Sequence, residues 1–351
     1  MTASVSSRIA CRDVVVRFGE LTAVDAVSIA CAPGEVLAIV GENGAGKSTL
    51  MNALFGIVAP TSGTVLVDDA PVVFHSAHDA IARGVGMVHQ HFRLVPNLTV
   101  AENVALGHEP RRHALAFDVT AARKRALEIS EKLGFDLSPD ALIEDLSVGA
   151  QQRVEIAKSL ARGARALILD EPTAVLTPQE VDDLFRVVRA LTSDGTAVMF
   201  ISHKLDEVKD VAGRIAVMRA GKLIDTVDAA RVSTAEIARM MIGRDVAPAT
   251  TRTKPNDNGA TGLELAHVTA IDVRGVRVLD DVNLAIKAGE IVGVAGVEGN
   301  GQSELVDVAA GLVAPTSGRV LFGDVDVTRE APRDRFARGL AHIPGGRLRD
   351  A

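Results

Sequence analysis

The sequence predicts an α/β protein with a parallel-sheet core, an antiparallel β subdomain and a helical subdomain, repeated in tandem with the second copy incomplete. Three observations predict it. An apolar run at residues 36–40 leads into Gly41-Glu42-Asn43-Gly44-Ala45-Gly46-Lys47-Ser48-Thr49 and then a helix-like run at 50–57. A second run, Ala166-Leu167-Ile168-Leu169, is apolar throughout, as a central strand buried on both faces requires, and ends in Asp170-Glu171. The chain also matches itself at one fixed offset: Gly34-Glu35 with Gly289-Glu290, Gly41 with Gly296, Pro60-Thr61-Ser62-Gly63 with Pro315-Thr316-Ser317-Gly318, and Arg83-Gly84 with Arg338-Gly339, each pair 255 positions apart. So long a period means one domain twice rather than a short-repeat solenoid.

Composition bounds the reading. The 351 residues leave room for two domains, and 47% hydrophobic residues suffice for buried sheets. The net charge of −7 gives no reason to expect nucleic acid. Cys11 and Cys31 have no metal-ligand spacing and read as small core residues of a protein kept in a reducing compartment. Residues 1–13 contain no apolar leader, so secretion is not expected, and no run is long enough to span a membrane. His89, His91, His108 and His113 cluster without a zinc pattern.

In chain order, alternating residues at 14–18 and 24–29 predict strands of the antiparallel subdomain. Strand, glycine loop and helix then form the context of a phosphate-binding loop. Its glycines let backbone N–H groups turn inward, and the helix N-terminus adds partial positive charge. Lys47 can reach the β- and γ-phosphates, and Ser48 can offer its hydroxyl to Mg²⁺. Residues 64–67 read as a short strand, and residues 84–90 as a strand delivering Gln90 at its C-terminal end, where ligands of parallel sheets collect. Residues 91–165 read as mostly helical, with an amphipathic helix over 121–133 and another over 151–162 that Ser147 can cap. Asp170 and Glu171, at the end of a buried strand, should face a site. A helix over 178–191 follows, then a strand over 197–201 ending in Ser202-His203, a hairpin of 211–218 with 223–227, and a helix over 233–242.

The predicted domains are residues 8–244, a linker over 245–261 rich in Pro, Thr, Asn and Gly, and residues 262–351 as the first part of the second copy. That copy has Gln302 where the first has Lys47, so its loop lacks the ammonium. It also ends before any counterpart of Ser147, Glu171 or His203, which reads as truncation. Residues 262–351 are expected to fold poorly alone, with apolar surface exposed.

With these motifs in place, the chain resembles the nucleotide-binding subunit of an ABC transporter, a P-loop NTPase of ABC type. The first domain carries the family's motifs in order. Residues 41–49 match the Walker A loop and Gln90 the Q-loop. Leu146-Ser147-Val148-Gly149-Ala150-Gln151 matches the signature, with departures at Val148 and Ala150; Asp170-Glu171 closes Walker B, and His203 matches the H-loop. Ala174-Val175-Leu176-Thr177 departs from the family's Ser-Ala-Leu-Asp, and Ile343-Pro344-Gly345-Gly346-Arg347 lacks the usual acidic pair.

The resemblance implies ATP hydrolysis with Mg²⁺. Residues Gly41, Glu42, Asn43, Gly44, Ala45, Gly46, Lys47, Ser48 and Thr49 would hold the phosphates, and Ser48, Gln90 and Asp170 the metal. Glu171 would polarise the attacking water, Gln90 would sense the γ-phosphate or Mg²⁺, and His203 would bond the γ-phosphate. Ser147 and Gly149 would contact ATP on an opposing domain. Phe18 would either stack on adenine or pack in the core. A tandem ATPase with a degenerate second loop resembles the importers of ribose, galactose, xylose and nucleosides, with residues 87–104 closest to the nucleoside branch. The partners so implied are transmembrane permease subunits and an extracytoplasmic solute-binding protein, with the chain peripheral on the cytoplasmic side of the membrane. Residues near 91–110 are the expected permease contact, and two copies can also pair through their first domains. The alternative is a soluble tandem ATPase acting on ribosome or nucleic acid.

Overall fold

A computed structural model describes residues 6–89, 92–112, 116–174, 176–243, 261–272, 275–296 and 299–344. The chain divides into two compact units, Met1–Pro248 and Ala249–Ala351. Of the expected linker, only Thr261 is among the described residues, and it opens a strand.

The first unit begins with β1 (Ile9–Phe18) and β2 (Leu21–Cys31), an antiparallel ladder. The buried strand β3 (Val36–Val40) follows, then α1 (Lys47–Leu54), β4 (Ser62–Val67), β5 (Ala70–Val72), α2 (Ala77–Ala82) and β6 (Val85–Val88). Next comes a lobe of α3 (Val100–Ala105), the short hairpin β7 (Arg111–Arg112) and β8 (Ala116–Phe117), α4 (Val119–Leu133) and α5 (Val148–Ala161). The chain then returns through β9 (Ala166–Asp170), α6 (Pro178–Ser193), β10 (Ala197–Ile201), α7 (Leu205–Val211), β11 (Arg214–Arg219), β12 (Lys222–Asp228) and α8 (Thr234–Ile242).

Two sheets organise these elements. One has the order β2-β1-β4-β5 and is antiparallel. The other has the order β12-β11-β3-β10-β9-β6, with every pair parallel except the β11–β12 edge. β3 and β10 are buried along their whole length because each lies between two other strands and is covered on both faces. Leu37, Ile39, Ile168 and Met199 face one core cluster, while Ala38, Val40, Leu167 and Phe200 face the other. The helical lobe closes a third cluster around Val104, Ala126, Val154 and Ala157.

Two local expectations are corrected. Val211 ends helix α7 rather than opening a strand, and the strand begins at Arg214. Helix α5 begins at Val148, not Gln151: the Ser147 hydroxyl accepts from the Ala150 N–H at 3.2 Å and starts the helix one turn sooner.

The second unit contains β13 (Thr261–Ile271), β14 (Arg277–Lys287), α9 (Gln302–Ala310), β15 (Ser317–Phe322), β16 (Val325–Asp326) and α10 (Pro332–Ala337). Its sheet has the order β14-β13-β15-β16, the counterpart of β2-β1-β4-β5. A small core forms around Leu265, Val268, Val308 and Val320. Buried Arg335 pins it, donating to the carbonyls of Val308, Ala309, Thr328 and Glu330. Residues 290–296 form no strand, and Ile291 and Ile343 are 78% and 92% exposed.

Candidate functional site

Three parallel strands end level, since Ile201 is in register with both Asp170 and Ile39. The groups that follow them therefore share one edge of the sheet. After β3 the loop closes onto α1 through Gly46, whose φ of 92° lies in the left-handed region. A side chain there would collide with the Ala23 carbonyl oxygen, so that position requires glycine. The Lys47 ammonium is drawn back into the loop, donating to Gly41 O at 2.8 Å and Glu42 O at 3.0 Å. Burial lowers its pKa, with Glu171 and then Asp170 pulling the other way.

Asp170 ends β9 beside this loop. Burial, then the neighbouring Glu171, raise its pKa; a hydrogen bond from the Ser48 hydroxyl and the Lys47 charge oppose them. Hydroxyl and carboxylate thus present a pair of hard oxygen donors, the ligand type Mg²⁺ takes. Glu171 sits at φ 47°, an unusual conformation for a residue with a side chain, and its N–H donates to Ile201 O at 3.0 Å. His203 Nδ1 lies 3.4 Å from Glu171 Oε1. Lys47, Ser48, Asp170, Glu171 and His203 are therefore brought to one place.

The other expected site residues are spread around it. Phe18 is 51% exposed where the β1–β2 hairpin turns, so the ring does not serve core packing. The same hairpin lies against the loop at Ala23. Gln90 lies outside the described residues, as do His91, His113, Val175, Gly345, Gly346 and Arg347. Ser147 caps α5, and Gly149 meets Glu180 so closely that a side chain there would collide with its carboxylate. Burial acts to raise the Glu180 pKa, but hydrogen bonds from the Thr177 N–H and hydroxyl and the Gly149 N–H outweigh it and lower it. Thr177 in turn caps α6, accepting from the Glu180 N–H, so at the position where the sequence departs from the family's Asp it serves as the helix cap.

The sequence reading missed Thr173, Lys204, Glu207 and Glu180. A hydrophilic residue two after Glu171 carries no periodic signal. Lys204 and Glu207 flank the start of α7, which has seven residues and too few turns to show an apolar stripe.

The ABC transporter family model matches residues 24–174 and 279–345, and the chain belongs to that family. Among curated relatives, the nucleoside import ATP-binding protein NupA of Lactococcus lactis subsp. cremoris is 44% identical, over 96% of this chain and 66% of its own length. The guanosine import ATP-binding protein NupO of Bacillus subtilis is 42% identical, over 94% of this chain and 64% of its own. The ribose import ATP-binding protein RbsA 1 of Rubrobacter xylanophilus is 42% identical, over 95% and 65%. The chain thus spans just under two thirds of the length of these relatives. Among solved structures, the ADP conformation of an ATP-binding cassette of an ABC transporter matches with a TM-score of 0.60 at 26% identity, over 68% of this chain and 99% of that one. A dimeric post-hydrolysis cassette bound to ADP and Pi matches with a TM-score of 0.55 at 28% identity, over 63% and 98%. The fold is therefore that of an ABC-type P-loop ATPase cassette.

Proposed function

We propose that the chain is the ATP-binding and ATP-hydrolysing subunit of an importer for nucleosides or simple sugars, held peripherally on the cytoplasmic side of the membrane by permease subunits. The observation that carries this reading is the convergence of Lys47, Ser48, Asp170, Glu171 and His203 at one sheet edge. The loop amides and Lys47 hold the β- and γ-phosphates. Ser48 and Asp170 hold Mg²⁺, which when bound neutralises charge on the outer phosphates. Glu171 orients and polarises a water, and His203, beside Glu171, steadies the γ-phosphate edge. Positioning and charge account for most of the catalysis in phosphoryl transfer. Gln90 belongs to the same set by its place after β6. Ser147 and Gly149 serve the nucleotide of an opposing cassette, a role consistent with the dimeric cassette this chain resembles.

Import is supported by the relatives' names. The permease contact is supported by a cavity of about 190 Å³ where β6 faces the helical lobe, walled by Phe55, Met87, His89, Arg93 and Lys158. Burial, with Arg93 beside it, pushes His89 down to about 4, so its imidazole is neutral there. Arg93, Lys158 and Arg162 line the cavity together with the Glu155 carboxylate, which pairs with Lys158 at 3.9 Å. An extracytoplasmic solute-binding protein would reach this chain only through the permease.

ATPase turnover of the full chain against protein concentration, with Glu171→Gln as control, tests the proposal. Turnover rising with the square of concentration and lost in the control means first domains pair and hydrolyse. ATP binding without turnover means that hydrolysis needs a complementing cassette. No ATP binding overturns the reading.

A further inference from the structure

The loops that deliver Glu171 and His203 are joined a second time, away from the carboxylate–imidazole contact. Thr173 lies in the loop after β9 yet is 2% exposed. Its hydroxyl donates to Glu207 Oε2 at 2.5 Å, in the first turn of α7. Glu207 Oε1 pairs with Lys204 Nζ at 2.9 Å, and the same ammonium donates to the Thr173 carbonyl at 3.0 Å. The three residues close a ring of hydrogen bonds through one carboxylate and one ammonium. Charge-assisted bonds of this kind are stronger than neutral ones and reinforce each other when closed into a network.

The ring's position gives it a task. Thr173 is two residues beyond Glu171, and Lys204 is the residue after His203. The backbone at Glu171 sits in a sparsely populated conformation, which persists only where its surroundings hold it. On one side it is held by the Glu171 N–H bond to Ile201 O. On the other side the Glu171 carbonyl accepts from the Ala174 N–H at 3.2 Å, and Thr173, between the two, ties that turn to α7. Lys204 is fixed in addition by its own N–H bond to Ser202 Oγ at 3.0 Å.

We propose that Thr173, Lys204 and Glu207 form a clamp that sets the spacing of Glu171 and His203, with Glu207 a positioning residue for hydrolysis. The proposal rests on the ATPase reading above for its consequence, though not for its geometry. Thr173→Val removes the hydroxyl at constant shape, and Thr173→Ser keeps it. In the full chain, amide hydrogen exchange at residues 171–174 and 203–206 should rise together, about fivefold, in Thr173→Val and Glu207→Ala, with β9 and β10 unchanged and Thr173→Ser like the parent. Turnover should fall about tenfold in Thr173→Val with the KM for ATP unchanged, and Thr173→Ser should restore it. Exchange unaltered in both segments overturns the clamp, as does a rise in KM with kcat unchanged. If the parent binds ATP without turnover, exchange alone decides the clamp, so its failure and that of the ATPase reading stay distinguishable.

Discussion

Residues 36–40 and 291–295 occupy matching places in the two copies and are similarly apolar, yet only the first is a strand. β3 is buried from end to end between β10 and β11, whereas Ile291 and Val294 are 78% and 51% exposed. Their local sequences do not explain the difference. The antiparallel sheets of the two copies have the same strand order, because all of their strands are close in sequence. The loops agree as well: Gly46 and Gly301 take φ of 92° and 91° and cap the following helix alike. What differs is the neighbours, since no described residue corresponds to β10 or β11. A parallel strand is thus a property of its flanking strands, which long crossovers must bring in from elsewhere.

The comparison can be broken most sharply at the loop. Lys47→Gln writes the second loop's residue into the first, and ATP turnover should fall about 10³-fold. Residual activity within tenfold of the parent would mean that the ammonium is not what separates the two loops. Next in size is a matched pair of truncations. Ile39→Ala, in the buried strand, should cost about 3 kcal/mol of unfolding free energy in denaturant, while Val294→Ala, its exposed counterpart, should cost no more than about 0.5 kcal/mol. Equal costs would show that residues 291–295 are buried in solution.

The smallest effect concerns Asp170, whose pKa burial and Glu171 raise. A carboxyl with a folded pKa above its unfolded one favours folding at low pH and becomes a cost as pH rises through the folded value. Without nucleotide, Asp170→Asn should therefore raise Tm near pH 7 by roughly 2 °C and give no gain near about pH 3. A loss of Tm at pH 7 would show that the carboxylate's hydrogen bond from Ser48 outweighs its desolvation.

What the sequence disclosed followed from how local each signal is. The loop, the buried strands and the Ser147 cap were legible because each is set by residues within a few positions of one another. From sequence alone α5 starts a turn late, because Val148-Gly149-Ala150 has the composition of a loop and only the cap hydroxyl's bond reveals the helix. Val211 reads as strand because a two-turn helix offers no periodicity to read. The clamp was invisible for another reason: Thr173 and Glu207 are 34 positions apart, and their meeting depends on β9 and β10 ending level. Phe18 could be read two ways from its neighbours, and exposure removed one of them.

The place of β3 between β10 and β11 also imposes a schedule. During synthesis Val36–Val40 leaves the ribosome long before Ala197–Ile201 and Arg214–Arg219, its two lateral partners. At about 5–20 residues per second that interval is roughly 10–30 s. Through it the most apolar strand of the sheet waits with both edges open, and the phosphate loop it carries has no frame. Slow decoding or heat stress in that window would act on the nascent chain before its central sheet is closed, and chaperone demand should peak there.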